Sequence, residues 1–268
     1  RCVAVSPDGA LLAAGGAYKE VHVWSLKDGK LVQTIKGHED WVAGVCFSPD
    51  GQLLATASAD KTLQLWNVST WERTLRASHA EPLHGVAFSP DSKSTAAAVG
   101  GPGERAVHIR RNDSPRSSQA VATGEGMPLG ILWPQKGNRI YAACSDKTVK
   151  AVGVYGGILT TFQGHTDWVY AVASSADGAR LASGSADGTV RLWNAADGKP
   201  LATLVQLAPR ADQWLIMTAH GYLATSSPDA LRWQSKGLPT DGLTAKLQNP
   251  ESVRKALAGE KLAPPALE

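Results

Sequence analysis

The chain has 268 residues, of which 43% are hydrophobic and 19% charged, a composition typical of a globular protein with a large buried core. The formal net charge of +3 is dispersed along the chain, which gives no support for a nucleic-acid-binding or membrane-surface protein. No apolar stretch approaches the roughly 18 residues that a membrane-spanning helix needs. Three widely spaced cysteines, Cys2, Cys46 and Cys144, are interpreted as small buried hydrophobic residues and do not decide the redox compartment.

The first unit of the chain is a short apolar segment followed by a turn. It runs from Cys2 to Val5 and continues into the turn sequence Ser6-Pro7-Asp8-Gly9. No Gly-His pair stands ahead of it, and the first residue is Arg1 rather than Met. We interpret this unit as a repeat that is entered part-way, so the sequence is expected to belong to a longer chain.

One stretch occurs twice almost unchanged. It reads GHEDWVAGVCFSPDGQLLATASADKTLQLWN from Gly37 and GHTDWVYAVASSADGARLASGSADGTVRLWN from Gly164. In both copies a Gly-His pair, an SPDG-type turn, an Asp turn and a closing Trp-Asn follow each other at the same spacing. This order, within a period of about 40 to 45 residues, is typical of the blades of a β-propeller.

The closing Trp marks a period that can be followed along the whole chain. Successive markers are 42, 44, 42, 41 and 40 residues apart, which indicates one array of six units. The markers are Trp24, Trp66, Arg110, Val152, Trp193 and Trp233. The predicted blades are residues 1–36, 37–78, 79–123, 124–163, 164–206 and 207–248, with residues 1–235 as the propeller.

Within a unit, short apolar runs alternate with turn residues, which predicts strands joined by hairpins. In the fifth unit the strands are predicted at Val169–Ala173, Arg180–Ser185, Thr189–Trp193 and Pro200–Val205. Many Ala, Gly and Ser residues in these strands fit sheets that pack on both faces. The predicted fold is therefore all-β, a propeller of about six four-stranded antiparallel blades, the first and last of them atypical.

The last part of the chain departs from the pattern. Three short strands are predicted at Trp214–Thr218, Tyr222–Ser226 and Ala230–Trp233. Residues 249–268 are predicted to form a short helix and an extended tail. Asn249 is expected to cap that helix, with Pro250 at its first position and Gly259 at its end. The basic stretch from Arg105 to Arg116 is interpreted as a solvated loop.

Over most of its length the chain resembles the WD40-repeat family, and the spacing from Gly-His to Trp-Asn is the specific part of that resemblance. The resemblance implies that a hydroxyl, a His, an Asp and a Trp form a buried hydrogen-bonded tetrad in a blade. Such side chains could also suggest a nucleophile and its base, but a satisfied buried network is the preferred interpretation. The two complete tetrads are His38, Thr56, Asp60 and Trp66, and His165, Ser183, Asp187 and Trp193.

The resemblance also implies that the loop after Gly-His and the turn at the Asp share one rim of the propeller, where peptides or partner domains commonly bind. The candidate partner-binding residues are Tyr18, Asp40, Trp41, Lys61, Lys147, Asp167 and Trp168. Trp and Tyr are favoured anchors at binding hot spots. The alternative is that Trp41 and Trp168 pack on the neighbouring blade, because large aromatic residues are usually mostly buried.

A second resemblance concerns the C-terminal segment. The stretches from Gln213, Gly221 and Asn249 are similar to the end of certain bacterial repeat proteins, some of which carry a cytochrome c-like domain upstream. This implies a bacterial protein, cytoplasmic or exported, of which the chain is the C-terminal propeller.

No motif for chemistry stands out. Cys-x-x-Cys and His-Glu-x-x-His metal spacings, a haem-attachment motif and a glycine-rich phosphate loop are all missing from the sequence. We therefore expect a protein that is not an enzyme and that uses no metal or cofactor. Two hypotheses remain beside an interaction scaffold: an accessory propeller of a larger protein, and a hydrolase or lyase with acidic or His residues converging on the central channel.

Overall fold

The computed structural model describes residues 1–114, 118–207, 212–228, 231, 243–258, 260 and 262–265. Within these residues the chain forms five antiparallel sheets. Blade 1 comprises β1 (Cys2–Val5), β2 (Leu11–Gly15), β3 (Glu20–Ser25) and β4 (Leu31–Lys36). Blade 2 comprises β5 (Val42–Phe47), β6 (Leu53–Ser58), β7 (Thr62–Asn67) and β8 (Arg73–Ser78). Blade 3 comprises β9 (Leu83–Phe88), β10 (Ser94–Gly100), β11 (Arg105–Arg111) and β12 (Ser118–Ala122).

The remaining two sheets continue the same order. Blade 4 comprises β13 (Pro128–Leu132), β14 (Arg139–Cys144), β15 (Thr148–Gly153) and β16 (Ile158–Gln163). Blade 5 comprises β17 (Val169–Ser174), β18 (Arg180–Ser185), β19 (Thr189–Asn194), β20 (Pro200–Gln206), β21 (Trp214–Thr218) and β22 (Leu223–Thr225). The predicted all-β propeller of four-stranded antiparallel blades is confirmed.

The SPDG-type turns show why the strands reverse where they do. In blade 2 the Ser48 hydroxyl donates to Asp50 Oδ1 at 2.5 Å, and the same carboxylate oxygen accepts from the Gln52 amide at 3.1 Å. Gly51 follows with a φ of 72°, a left-handed conformation that glycine adopts without strain. Hydrogen bonds from the turn's own side chains therefore stabilise the connection between β5 and β6.

The blades pack face to face, with the first strand of each blade next to the first strand of the following one. The small residues of these strands allow the close approach. A Cβ on Gly44 of β5 would lie 2.9 Å from the Cα of Gly85 on β9, so only glycine fits there. Apolar side chains fill each junction between consecutive blades and are almost fully buried in blades 2, 3 and 4. Each blade completes its core with residues of its neighbour.

The sixth predicted unit differs from the others. Its first two strands form as β21 and β22, but β21 pairs with β20, from Ala202 opposite Thr218 to Gln206 opposite Trp214. These strands therefore add to the edge of the fifth sheet, because the outer edge of β20 offers free backbone donors and acceptors to the strand that follows it. The third predicted strand and the marker Trp233 lie outside the described residues, except for Leu231.

Two short helices follow, α1 (Leu243–Leu247) and α2 (Pro250–Leu257). The second starts as predicted: Asn249 is the N-cap, its side chain accepts from the Ser252 amide at 2.9 Å, and Pro250 is the first helical residue. The predicted end at Gly259 lies outside the described residues. Helix α1 was not predicted.

The prediction of a solvated loop from Arg105 onward is wrong for its first half. Residues 105–111 form β11, and Arg110 is buried there at the position of the closing Trp. None of the helices in the described residues is long and apolar enough to cross a membrane.

Candidate interaction rim

A buried network in blade 2 joins the four predicted tetrad residues. His38 Nδ1 lies 2.9 Å from Asp60 Oδ2, and His38 Nε2 lies 2.7 Å from Thr56 Oγ1. Trp66 Nε1 donates to the same hydroxyl at 3.1 Å. Because an ionised carboxylate can only accept, the imidazole proton belongs on Nδ1, facing Asp60. Nε2 of the neutral ring then accepts from the Thr56 hydroxyl, which itself accepts from the Trp66 indole.

Blade 5 repeats this arrangement. His165 Nδ1 lies 2.8 Å from Asp187 Oδ2, and His165 Nε2 lies 2.8 Å from Ser183 Oγ. Trp193 Nε1 donates to Ser183 Oγ at 2.8 Å. The Ser183 hydroxyl is 1% exposed and is hydrogen-bonded to both His165 and Trp193. The arrangement therefore links the Gly-His loop to β18 and β19 through a hydroxyl that solvent does not reach.

The acid–base state of the networks follows from their surroundings. Burial alone would raise the pKa of Asp187, but hydrogen bonds from the Thr189 hydroxyl, the Thr166 amide and His165 together hold that pKa far below its usual range. In blade 2, burial lowers the pKa of His38, although Asp60 opposes the effect. A neutral imidazole at His38 and charged carboxylates at Asp60 and Asp187 are thus favoured at neutral pH.

The network of blade 2 also fixes the loop that precedes β5. Asp60 Oδ2 accepts from the Glu39 amide at 2.9 Å. The Ser58 hydroxyl donates to the Trp41 carbonyl at 2.9 Å, and Asp40 Oδ1 accepts from the Trp41 amide at 2.7 Å. The tetrad therefore sets the position of the loop bearing Asp40 and Trp41.

The equivalent loop of blade 5 is held in the same way. Asp187 Oδ2 accepts from the Thr166 amide at 3.0 Å, and Asp167 Oδ1 accepts from the Trp168 amide at 2.8 Å. The Ser185 hydroxyl donates to the Asp167 carbonyl at 3.0 Å. Both Gly-His loops are thus anchored to buried polar networks by backbone and side-chain hydrogen bonds.

The aromatic residues of these loops are exposed. Trp41 is 37% exposed and Trp168 43% exposed, so both indoles are partly accessible to solvent. The guanidinium of Arg1 lies 3.6 Å from the centre of the Trp41 ring, a cation–π contact. Trp168 packs edge to face with Tyr170 at 6.3 Å between ring centres. The contact between Trp41 and Arg1 joins residues 40 positions apart and could not be predicted from the sequence.

Three exposed lysines occupy the same strained backbone position in their blades. Lys19, Lys61 and Lys147 have φ values of 63°, 69° and 70° in the turn between the second and third strands. A left-handed conformation costs a non-glycine residue about 1 kcal/mol. Lys61 Nζ donates to the Ala80 carbonyl at 2.8 Å, while Tyr18, next to Lys19, is almost fully exposed. These turns add cationic and aromatic groups beside the Gly-His loops.

Blade 4 replaces the histidine of the tetrad with a lysine, a substitution that the sequence analysis missed. Gly124 stands at the position of the His, and the buried Lys150 Nζ donates to the Thr123 carbonyl and to Asp146 Oδ2. The Thr148 hydroxyl also donates to Asp146, at 2.6 Å. The sequence does contain an indication of another partner, because Asp146 is retained in its turn although no His is present to bind it.

Blade 3 keeps the histidine but not its partners. The ring of His79 lies edge to face with His108, 4.7 Å between centres, and its Nε2 has no hydrogen-bond partner among the described residues. Burial, together with the nearby His108 and Arg110, lowers the pKa of His79 to about 4. This blade therefore holds a neutral imidazole by packing rather than by a polar network.

The described part of the chain contains no group of three or more His, Cys, Asp and Glu side chains arranged to hold a metal ion. The three cysteines are free thiols, Cys144 buried and Cys2 and Cys46 half-buried. Burial raises the pKa of Cys144 to about 12, which makes its thiolate inaccessible near neutral pH.

The repeat itself matches a known family. The model of the WD domain, G-beta repeat, matches residues 1–25, 29–67 and 156–194, which lie in blades 1 and 2 and across blades 4 and 5. The chain therefore carries WD40 repeats on a β-propeller fold. A solved structure, the β-propeller domain of Cps50 (Swd1) from Myceliophteria thermophila, superposes with a TM-score of 0.69 over 83% of each chain at 16% identity. At this identity the likeness concerns the fold alone.

Curated relatives match a large part of the chain. Nuclear distribution protein nudF 1 of Talaromyces marneffei is 33% identical over 233 residues, which are 85% of this chain and 42% of that protein. COMPASS component SWD3 of Saccharomyces cerevisiae is 29% identical over 143 residues, which are 52% of this chain and 43% of that protein. The chain thus spans less than half the length of these relatives. Both are fungal and lend no support to the predicted bacterial origin.

Proposed function

We propose that this WD40 propeller is a non-catalytic interaction scaffold that binds protein or peptide partners through the rim formed by its Gly-His loops and Asp turns. The observation that carries the proposal is the exposure of Trp41 and Trp168 at loops whose backbones are fixed by buried networks. An exposed indole on a rigid support loses little conformational freedom on binding, which is why Trp is favoured at hot spots.

The charges of the rim indicate what a partner would look like. Exposed carboxylates of Asp40 and Asp167 lie one residue before the two tryptophans, and exposed Lys61 and Lys147 occupy nearby turns. A partner segment with an apolar side chain flanked by charged residues of both signs would match this surface. COMPASS component SWD3 is by its name a subunit of a complex, and we extend that kind of role to this chain as part of the proposal.

The test is a comparison of peptide binding by matched variants. Peptides selected from a random library on the wild-type protein are labelled, and their dissociation constants are measured by fluorescence anisotropy. The W41A/W168A double variant should weaken binding about tenfold or more. Y155A, which removes an exposed aromatic residue from the loop between β15 and β16, should bind like the wild type.

Circular dichroism melts accompany these measurements, so that loss of binding can be separated from loss of fold. A double variant that melts like the wild type and binds the peptides unchanged would refute the rim as the binding surface. Equal losses in Y155A and in the double variant would refute it as well.

We also propose that the chain is part of a longer polypeptide, in which the propeller serves a catalytic or electron-transfer domain. The shorter length of the chain relative to its curated relatives favours the first part of this proposal. The intact mass and N-terminal sequence of the native gene product test it. A product well above 28.2 kDa with a haem-attachment motif supports the accessory role, and a product of that mass rejects it.

A further inference from the structure

A cleft of about 700 Å³ lies between blades 3 and 4, a volume typical of small-molecule sites. It is formed by the turn at Ser89 and Asp91, by the end of β11 and the start of β12, and by the loop between β15 and β16. These connections follow the first and third strands of their blades. Because neighbouring strands are antiparallel, the cleft lies on the rim opposite the Gly-His loops and Asp turns. It is therefore separate from the candidate interaction rim.

The same place is filled with leucine side chains at the junction of blades 2 and 3. Leu65 and Leu75 are 1% and 8% exposed and form one apolar cluster with Phe88 of blade 3, on which the half-buried Leu53 also packs. The leucines come from β6, β7 and β8, and Phe88 comes from the first strand of the following blade. This junction thus shows a fully packed contact at this position of the repeat.

Blade 3 has a glutamine where blade 2 has Leu75. Ile109 and Leu65 both stand one residue before the closing position of their blades. In the strand registers Ile109 lies opposite Gln119, as Leu65 lies opposite Leu75. Gln119 is exposed, and its side-chain amide has no hydrogen-bond partner in the part of the chain that the structure describes. A polar amide thus replaces an almost fully buried leucine.

A serine replaces the second leucine. Ser94 lies opposite Arg111, directly after the closing position of blade 3, just as Leu53 lies opposite Asn67 in blade 2. The serine side chain is shorter and leaves space that a leucine would fill. Its hydroxyl, like the Gln119 amide, has no hydrogen-bond partner among the described residues. The two replacements together open the cleft and give it a hydroxyl and an amide that can bind a ligand.

The floor of the cleft is apolar and aromatic. Trp133 directly follows β13, at the position that Phe88 has at the end of β9, and it is 9% exposed. Ile109 and Val154 pack beside it. Tyr155 also lines the cleft and is 90% exposed, so its ring is accessible to a ligand. The cleft thus combines an aromatic floor with hydrogen-bonding groups on its wall.

The charged groups of the cleft offset one another. Arg110 and Arg111 contribute two cations and Asp91 one carboxylate. Arg111 is in turn paired with Asp113 through hydrogen bonds of 3.0 and 2.7 Å. Because these two cations and two carboxylates cancel, an ionic ligand gains little from the cleft. A neutral ligand with several hydrogen-bonding groups matches it better.

We propose that the cleft between blades 3 and 4 binds a neutral saccharide. A pyranose ring has an apolar C–H face, which matches the exposed ring of Tyr155 and the floor at Trp133. Its hydroxyls both donate and accept, as do the Ser94 hydroxyl and the Gln119 amide. This site goes beyond the proposed peptide-binding rim, and neither proposal depends on the other.

Saturation-transfer difference NMR on the protein tests the site. The probes are the methyl glycosides of glucose, galactose, mannose and N-acetylglucosamine, with glucuronate and adenosine as the charged and the nucleoside alternatives. S94L/Q119L restores the leucines of blade 2 and should fill the cleft, so we expect no saturation transfer to the glycosides. Y155A should weaken glycoside binding about fivefold. W41A/W168A is the control on the opposite rim and should bind the glycoside like the wild type.

Circular dichroism melts accompany every variant. S94L/Q119L should melt no lower than the wild type, because it adds apolar contacts to the junction. If it melts lower, Y155A decides the test, since the exposed Tyr155 is not part of the core. Absence of saturation transfer to all the glycosides overturns the proposal, and so does unchanged binding in the folded variants of the cleft. Stronger binding of glucuronate or adenosine than of any glycoside overturns the assignment of a neutral saccharide.

Discussion

Blades 2 and 5 share the stretch from Gly-His to Trp-Asn and the same buried network, yet they differ in how much of their surface is covered. The distances from the His nitrogens to their partners agree to within about 0.1 Å in the two blades. Leu63 is buried in blade 2, whereas its counterpart Val190 is exposed in blade 5. The network is thus a local consequence of the repeat sequence, while the burial of a sheet face depends on the adjacent blade.

The largest expected effect separates the two blades by their neighbours. In the polypeptide of residues 1–268, L63D should prevent folding or cost more than about 4 kcal/mol of unfolding free energy, because it buries a charge between blades 2 and 3. V190D should cost less than about 1 kcal/mol, because its carboxylate stays in water. Urea denaturation followed by circular dichroism measures both. Equal losses would show that the face of blade 5 is covered in solution.

The next effect should be the same in both blades. D60A and D187A each remove the carboxylate that binds a buried imidazole and a loop amide, so each should lower the unfolding free energy by about 3 kcal/mol. D177A, which removes only the exposed carboxylate of a hairpin turn, is the control and should cost about 1 kcal/mol or less. A difference between D60A and D187A larger than about 1 kcal/mol would argue against a purely local network.

Blade 3 extends the comparison to a histidine without a carboxylate partner. The pKa of His79 is about 4 in the folded protein against 6.5 in a model peptide, so the unfolded chain binds more protons between these pH values. The unfolding free energy is therefore unaffected by His79 above pH 6.5, where the ring is neutral in both states. It decreases as the pH falls towards 4, because the unfolded chain takes up the proton first. We expect a loss of about 2 kcal/mol in that window from this residue.

Urea denaturation at a series of pH values measures this effect. The H79Q variant has no titrating ring at that position and should show a shallower fall in unfolding free energy between pH 6.5 and 4. An unchanged pH dependence in H79Q would assign the effect to other groups.

The sequence predicted those features that depend on residues within one repeat. The resemblance to WD40 repeats, carried by the spacing from Gly-His to Trp-Asn, implied the tetrad of His38 and Trp66. Asp-Gly pairs located the hairpins of the fifth unit, with strand limits that differ from the structure by one residue or less. Asn249 and Pro250 gave the start of α2 because a helix cap is also a local interaction.

Features that depend on contacts between distant segments could not be predicted in the same way. A strand such as β21 can begin a new sheet or extend β20, and both outcomes need the same alternating sequence. The buried Lys150 looks like a surface residue until the position of Thr123 is known. The partners of Trp41 and Trp168, Arg1 in one case and Tyr170 in the other, differ although the sequence contexts of the two residues are almost the same.

The smallest expected effect returns to these two tryptophans. Trp41 stacks under the guanidinium of Arg1, whereas Trp168 contacts Tyr170 of its own blade. W41A should therefore lower the unfolding free energy by about 0.5 kcal/mol more than W168A, because W41A also removes the cation–π contact with Arg1 of blade 1. R1A should remove that difference, since it leaves Trp41 without its cation. If W41A and W168A lower the unfolding free energy equally in the wild-type background, the contact of Arg1 with Trp41 does not stabilise the junction of blades 1 and 2.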